Sequence, residues 1–147
     1  PIALERFCTH FNYEPMAFAA ADDHGVAVYH SNVLMCIGTD YALIGLDMIT
    51  DPARRAEIVQ RLEQSGREIV ALSNKQIADF AGNAIELQGS AGRILALSTT
   101  AFEALTEQQI SVVEQSARLV PLDIPTIEMA GGSVRCTIAG IHLTKRP

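Results

Sequence analysis

Along residues 2–13, IALERFCTHFNY, the apolar positions Leu4, Phe7, Cys8 and Phe11 recur at helical spacing. Pro15 favours an end shortly after. Beyond it the period changes. MAFAAADDHGVAVYHSNVLMCIG reads as two strands around the turn DDHG, and YALIGL is a short, wholly apolar strand candidate. DPARRAEIVQRLEQSG is the clearest helix: Asp51 can cap it, Pro52 takes its first position, and Gly66 follows as a stop. REIVALS then predicts a strand, NKQIADF a short helical turn, and NAIELQGSAGRILALS a hairpin around GSAG. TTAFEALTEQQISVVEQSAR predicts two helices broken near Thr106, where Thr106 and Gln109 have the spacing of a capping box. LVPLDI and SVRCTIAGIHL predict the last strands.

Strands and helices thus alternate, which predicts an α/β fold. The pattern also repeats. HSNVLMCIGTDYALIGL, FAGNAIELQGSAGRILAL and AGGSVRCTIAGIHL each begin with a small or polar residue, followed by an apolar strand, a break and a second apolar strand. The leading residues Asn32, Asn83 and Ser133 lie about 50 residues apart. A period of that length with mixed content predicts stacked or radial modules, each needing neighbours to bury its faces. Three units of a ring would leave it open. The strands VLMCIG and YALIGL at one end, and TIAGIHL at the other, are then the expected exposed faces.

Bulk properties narrow the function. The chain has 147 residues, 48% hydrophobic and 19% charged, enough for one domain with a core. A net charge of −6 argues against nucleic acid or an anionic membrane as partner, since both need a basic face. No apolar run approaches the roughly 20 residues of a membrane span, and PIALERFCTH does not read as a signal peptide. Three cysteines, at 8, 36 and 136, form no C-x-x-C pair, so a reducing cytoplasm is the default compartment. The four histidines show no metal-ligand spacing.

The candidate chemistry gathers at Cys136, which follows Gly131, Gly132, Ser133 and Arg135. A cysteine acts as a nucleophile only as thiolate and needs a base or positive charge nearby. Arg135 is adjacent, but successive strand residues point to opposite faces. The repeat instead brings His30, Asn32 and Asn83 toward Ser133 and Cys136. His30, with an ordinary pKa of about 6.5, suits proton transfer. The plain alternative is packing: that is the reading for Cys8 and Cys36, and it stays open for Cys136. His10, His24 and His142 read as surface residues. Glu86 reads as a surface charge, and Glu128 is either a supporting acid or another surface charge.

YHSNVLMCIG, FAGNAIEL and GGSVRCTIAGIHL together resemble the second half of the guanidino-group-modifying enzymes. This superfamily holds arginine deiminases, dimethylarginine hydrolases and amidinotransferases, and the chain is most similar to the amidinotransferase-like hydrolases of citrulline utilisation. The resemblance implies a pentein fold, an α/β propeller of five ββαβ modules around a pseudo-fivefold axis, with about three present in residues 1–147. The chain then forms a single partial domain, the C-terminal portion of that fold.

It further implies that Cys136 is the nucleophile and His30 the catalytic histidine, with Asn32, Asn83 and Ser133 as substrate-binding residues. Family members often carry an aspartate where Asn32 stands, so the substituted amide leaves room for a ureido group. An acid motif expected upstream of the histidine does not occur in the residues before His30. The implied activity is that of a hydrolase or amidinotransferase acting on the guanidino or ureido group of an arginine- or citrulline-like substrate, through a covalent thiol adduct and without a cofactor. The implied partners are that small molecule and either a missing N-terminal half or another copy of the chain. Two other classes remain: a non-catalytic pentein that binds a surface, as a ribosome anti-association factor does, and an unrelated α/β protein.

Overall fold

The computed structural model describes residues 2–141. His142, and with it the end of TIAGIHL, lies outside the described residues. Helix α1 (Ile2–Phe11) forms where its apolar spacing predicts it, yet it buries only Cys8. Residues 16–30 form no strand. Their extended stretches meet the chain in isolated bridges, Ala20 with Ile49 and Ala21 with Ala27, around an Asx turn in which Asp22 Oδ1 accepts from His24 N and Val26 N. The local hydrogen-bonding power of Asp22 thus outcompetes the predicted hairpin ladder. The single turn α2 (Ser31–Leu34) follows.

Two sheets then form in succession. In the first, β1 (Met35–Ile37) pairs antiparallel with β2 (Tyr41–Ile44), and β2 pairs parallel with β3 (Glu68–Ala71). A parallel pair needs a long crossover, and α3 (Pro52–Gln64) provides it. Asp51 caps α3 by accepting from Ala53 N at 2.9 Å, and Gly66 leaves it at a φ of +84°, a conformation glycine adopts without strain.

After the short helix α4 (Asn74–Ala78) the pattern recurs. The hairpin β4 (Ile85–Gly89) and β5 (Gly92–Ser98) is antiparallel, and β5 runs parallel to β6 (Arg118–Leu122). The second crossover is broken as predicted, into α5 (Thr99–Ala104) and α6 (Glu107–Glu114), and the reciprocal Thr106–Gln109 capping box starts α6. The described residues thus contain two ββαβ units.

Strand β2 is the centre of its sheet, and all four of its residues are 0–1% exposed. Its unbroken apolar run reflects cover on both faces. This corrects the expectation that YALIGL is an exposed flank. Within VLMCIG only Ile37 is largely exposed. The large exposed apolar side chains include a group on and beside α1, at Ile2, Phe7, Phe11 and Tyr13, and others at Val26, Tyr29, Met129 and Ile141.

Past β6, α7 (Pro125–Glu128) leads to a 3-10 turn at Val134–Thr137. The predicted strand over SVRCT is therefore absent. Cys136 N closes a local bond to Ser133 O at 3.0 Å, and Arg135 N reaches Asn83 O at 3.1 Å. These bonds satisfy the backbone without a neighbouring strand. No helix among the described residues is long and apolar enough to cross a membrane.

Candidate active site

Three separate segments meet at the sulfur of Cys136. The first is α2. His30 occupies its N-cap position in an extended conformation, and Val33 N donates to the His30 carbonyl at 3.1 Å. Asn32, the second residue of the turn, is half-buried, and its Nδ2 lies 3.7 Å from Cys136 Sγ.

The second segment is the bend after α4. Gly82 lets it approach α2 very closely: a Cβ there would stand 2.5 Å from the Val33 carbonyl oxygen and 2.9 Å from the Leu34 carbonyl carbon. Only a residue without a side chain fits that gap. The close approach delivers Asn83, which is 2% exposed. Its Nδ2 donates to the Asn32 carbonyl at 2.8 Å and to Cys136 Sγ at 3.1 Å. Its Oδ1 accepts from Ser133 N at 3.1 Å and Cys136 N at 3.4 Å.

The third segment carries the thiol. Gly131 takes a φ of +91°, and Gly132 lies against the cysteine, where a Cβ would come within 3.2 Å of Cys136 Cβ and 3.6 Å of Sγ. Val134, 2% exposed, plugs the turn into the body beside β5, while the thiol itself is exposed. Ser133 is fully buried, and its hydroxyl donates to Glu128 Oε1 at 3.0 Å. The other oxygen of Glu128 accepts from Thr100 Oγ1 at 2.7 Å, which ties the thiol-bearing turn to α5.

Asn32, Asn83, Ser133 and Cys136 therefore meet. Asn83 and Ser133 face the site from inside, with their polar atoms engaged by the protein. His30 is exposed beside this cluster in sequence, and its ring stands edge-on to Tyr29 with centroids 4.4 Å apart. Arg135 Nη1 donates to Ile138 O at 3.1 Å and so serves its own turn. A hollow of about 380 Å³ is lined by Asp22, Asp23, His24, Val33, Met48, Asn74, Ile77, Ala78 and Phe80, and by neither Cys136 nor His30.

The other two cysteines are of a different kind. Cys8 and Cys36 are buried. Burial pushes the Cys36 thiol up to about 12, outweighing the smaller opposing effect of a hydrogen bond involving Glu86. A thiol so disposed is inert near neutral pH. Glu86 is not a plain surface charge: half-buried, it accepts from Thr39 N at 3.0 Å and Thr39 Oγ1 at 2.5 Å, joining the two sheets. Glu128 and Gly82 carry more of the site than the sequence indicates. The contacts of both depend on segments that meet only in the folded chain.

The family model that matches the chain places it in a class, the pentein-type guanidino-group-modifying superfamily. Over residues 2–143 it matches the family described as N,N dimethylarginine dimethylhydrolase, eukaryotic, and it belongs to that family. Similar folds occur in ArgZ, an arginine dihydrolase from the ornithine–ammonia cycle in cyanobacteria. The apo structure of ArgZ matches at 16% identity with a TM-score of 0.68, over 92% of this chain and 20% of that one. The N-terminal domain of ArgZ with its product matches at 17% identity and a TM-score of 0.67, over 92% and 45%. The ternary complex of AgrE with ornithine and NAD+ matches at 17% and 0.59, over 80% and 15%. The chain thus spans less than half the length of these structures. Compared by sequence with curated proteins, it matches none.

Proposed function

We propose that the chain carries the nucleophile of a hydrolase acting on the guanidino or ureido group of an arginine-, methylarginine- or citrulline-like substrate. The observation that carries this reading is the exposed Cys136 sulfur with two amide groups, from Asn83 and Asn32, directed at it. Family membership and the folds of arginine-hydrolysing neighbours support it.

In this reading Cys136 Sγ attacks the central carbon and forms an S–C bond. A C–N bond breaks, and His30 gives a proton to the departing amine. His30 then takes a proton from water as that water attacks the adduct, and the S–C bond breaks to release product. An incoming amine in place of water would make the reaction an amidino transfer. A variant of the ArgZ N-terminal domain carries a covalently bound reaction intermediate, which supports the adduct as a step. The scheme uses no cofactor. Asn32 faces the substrate, while Asn83 and Ser133 hold the site from beneath.

Residues 1–147 are read as the C-terminal portion, about three of five modules, of a single pentein domain whose remainder supplies further substrate contacts. The two ββαβ units support that reading. The unpaired thiols support a cytoplasmic setting.

The test is turnover by the purified protein on arginine, dimethylarginine and citrulline, with intact-mass analysis of acid-quenched samples. Product release with an adduct on Cys136, lost in Cys136→Ser and reduced about 10²–10⁴-fold in His30→Ala, is the expected result. Turnover that survives Cys136→Ser would sink the proposal.

A further inference from the structure

Among the described residues two side chains donate hydrogen bonds to the sulfur of Cys136, and both are neutral amides. Asn83 Nδ2 is 3.1 Å away and Asn32 Nδ2 is 3.7 Å away. Arg135 is turned to its own backbone, and the His30 ring makes no hydrogen bond to a described residue. The two amides differ in how firmly they are held. Asn83 is buried, and every polar atom of its side chain is committed: Oδ1 to two backbone N–H groups, Nδ2 to the Asn32 carbonyl and to the sulfur. It cannot turn away without leaving buried donors and acceptors unpaired. Asn32 is half-buried and less constrained.

We infer that the Cys136 thiolate is stabilised by the fixed amide of Asn83, seconded by Asn32, and not by an ion pair with His30. A donor that favours the charged form of its partner makes that form accessible at lower pH. A preorganised donor in a partly dry setting does so without reorganising when the charge appears. Asn83 is then a catalytic residue that contacts the reacting atom. His30 is then available for proton transfer. The inference builds on Cys136 as the reactive thiol, but it concerns the sulfur's ionisation alone and can be tested without any substrate.

Asn83→Asp separates the two halves of the amide. Its carboxylate keeps an acceptor for Ser133 N and Cys136 N, and those two donors favour its ionised form. It presents an oxygen to the sulfur where the amide presented a donor. The measurement is the rate of Cys136 alkylation by iodoacetamide from pH 6 to 10, followed by peptide mapping, with circular dichroism to check folding. The expected result is a half-maximal pH raised by about one unit or more, with labelling roughly tenfold slower at pH 7. His30→Ala should leave the half-maximal pH where it is.

Gly132→Ala is the second variant, for use if Asn83→Asp does not fold. Its new methyl group would stand 3.2 Å from Cys136 Cβ, so the cysteine must give by a few tenths of an ångström, which lengthens its contact with the amide while leaving the Asn83 side chain itself unsubstituted. It should shift the profile the same way. A folded variant with an unchanged half-maximal pH would overturn the inference, even if its plateau rate changed, because looser packing alters access without altering ionisation. A shift produced by His30→Ala instead would overturn it equally. Failure of turnover on every guanidino compound, with the Asn83→Asp shift present, would count against the proposed function and leave this inference standing.

Discussion

At the scale of single residues, burial sorts three thiols of identical chemistry into distinct roles. The alternation of apolar residues treats Cys36 and Cys136 alike, since each precedes or follows short apolar runs. What separates them is where their segments end up. Cys36 lies in the core with its thiol pushed up to about 12, and Cys136 lies exposed against two amides. The raised value has a consequence for stability. The folded protein holds the Cys36 proton more tightly than the unfolded chain does, so its contribution is fully present below the unfolded value of about 8.5 and is lost as pH rises toward 12. The Tyr41 hydroxyl, also raised above its ordinary value mainly by burial, adds a loss of the same sign at still higher pH. Urea unfolding between pH 8.5 and 11 should show stability falling by up to about 1.4 kcal/mol per pH unit for this thiol. Cys36→Ala should flatten that slope. A slope unchanged by the substitution would mean that Cys36 ionises as freely in the fold as outside it.

The element scale shows which sequence signals survive folding. Signals that close on themselves within a few residues were legible: the Asp51 cap with Pro52, the Thr106–Gln109 box and the GSAG hairpin all formed where the chain indicates. Asp51→Ala should therefore cost about 1 kcal/mol in urea unfolding. The 50-residue spacing of Asn32, Asn83 and Ser133 was legible too, and it gathered three of the site's residues around Cys136. Signals read as strand alternation failed at two places, 16–34 and 133–138. There, Asp22, His30 and Ser133 offer the backbone local partners, and turns replace ladders.

Gly82 was illegible for a different reason. Its meaning is a 2.5 Å approach to a carbonyl of another segment, and no local pattern encodes it. Gly82→Ala must push α2 away from Asn83, because the obstructing atoms are backbone and cannot rotate aside. A loss of roughly 1–3 kcal/mol is expected in urea unfolding. Wild-type stability in that variant would mean the two segments are not in contact.

At the scale of the whole molecule, apolar surface is left uncovered in a particular place. The open-ring picture expects it at the strands of the end modules, but β2 is covered completely. Ile37 of VLMCIG and Ile141 of TIAGIHL are exposed as expected, and a further exposed group lies on α1 and just after it, where Phe7 and Phe11 pack with ring centroids 4.6 Å apart and Tyr13 stacks on Phe7 at 6.2 Å. Ile2, Phe7, Phe11 and Tyr13 are each more than half exposed. Their clustering on one helix makes a contiguous patch, and contiguous apolar patches of this kind mark interaction surfaces or drive aggregation. The segment after α1 is anchored by a bond from Arg61 Nη1 to Glu14 Oε2 at 2.7 Å, an exposed ion pair of little strength. The helix is thus presented by the body while burying only one of its own residues in it. The 147-residue chain alone should therefore associate with itself as concentration rises, with a mass by light scattering above that of a monomer. The double substitution Phe7→Glu, Phe11→Glu should lower that mass toward 15.9 kDa while leaving the far-ultraviolet spectrum of the sheets intact. A wild-type chain that stays monomeric at high micromolar concentration would show that α1 finds its cover within the same molecule.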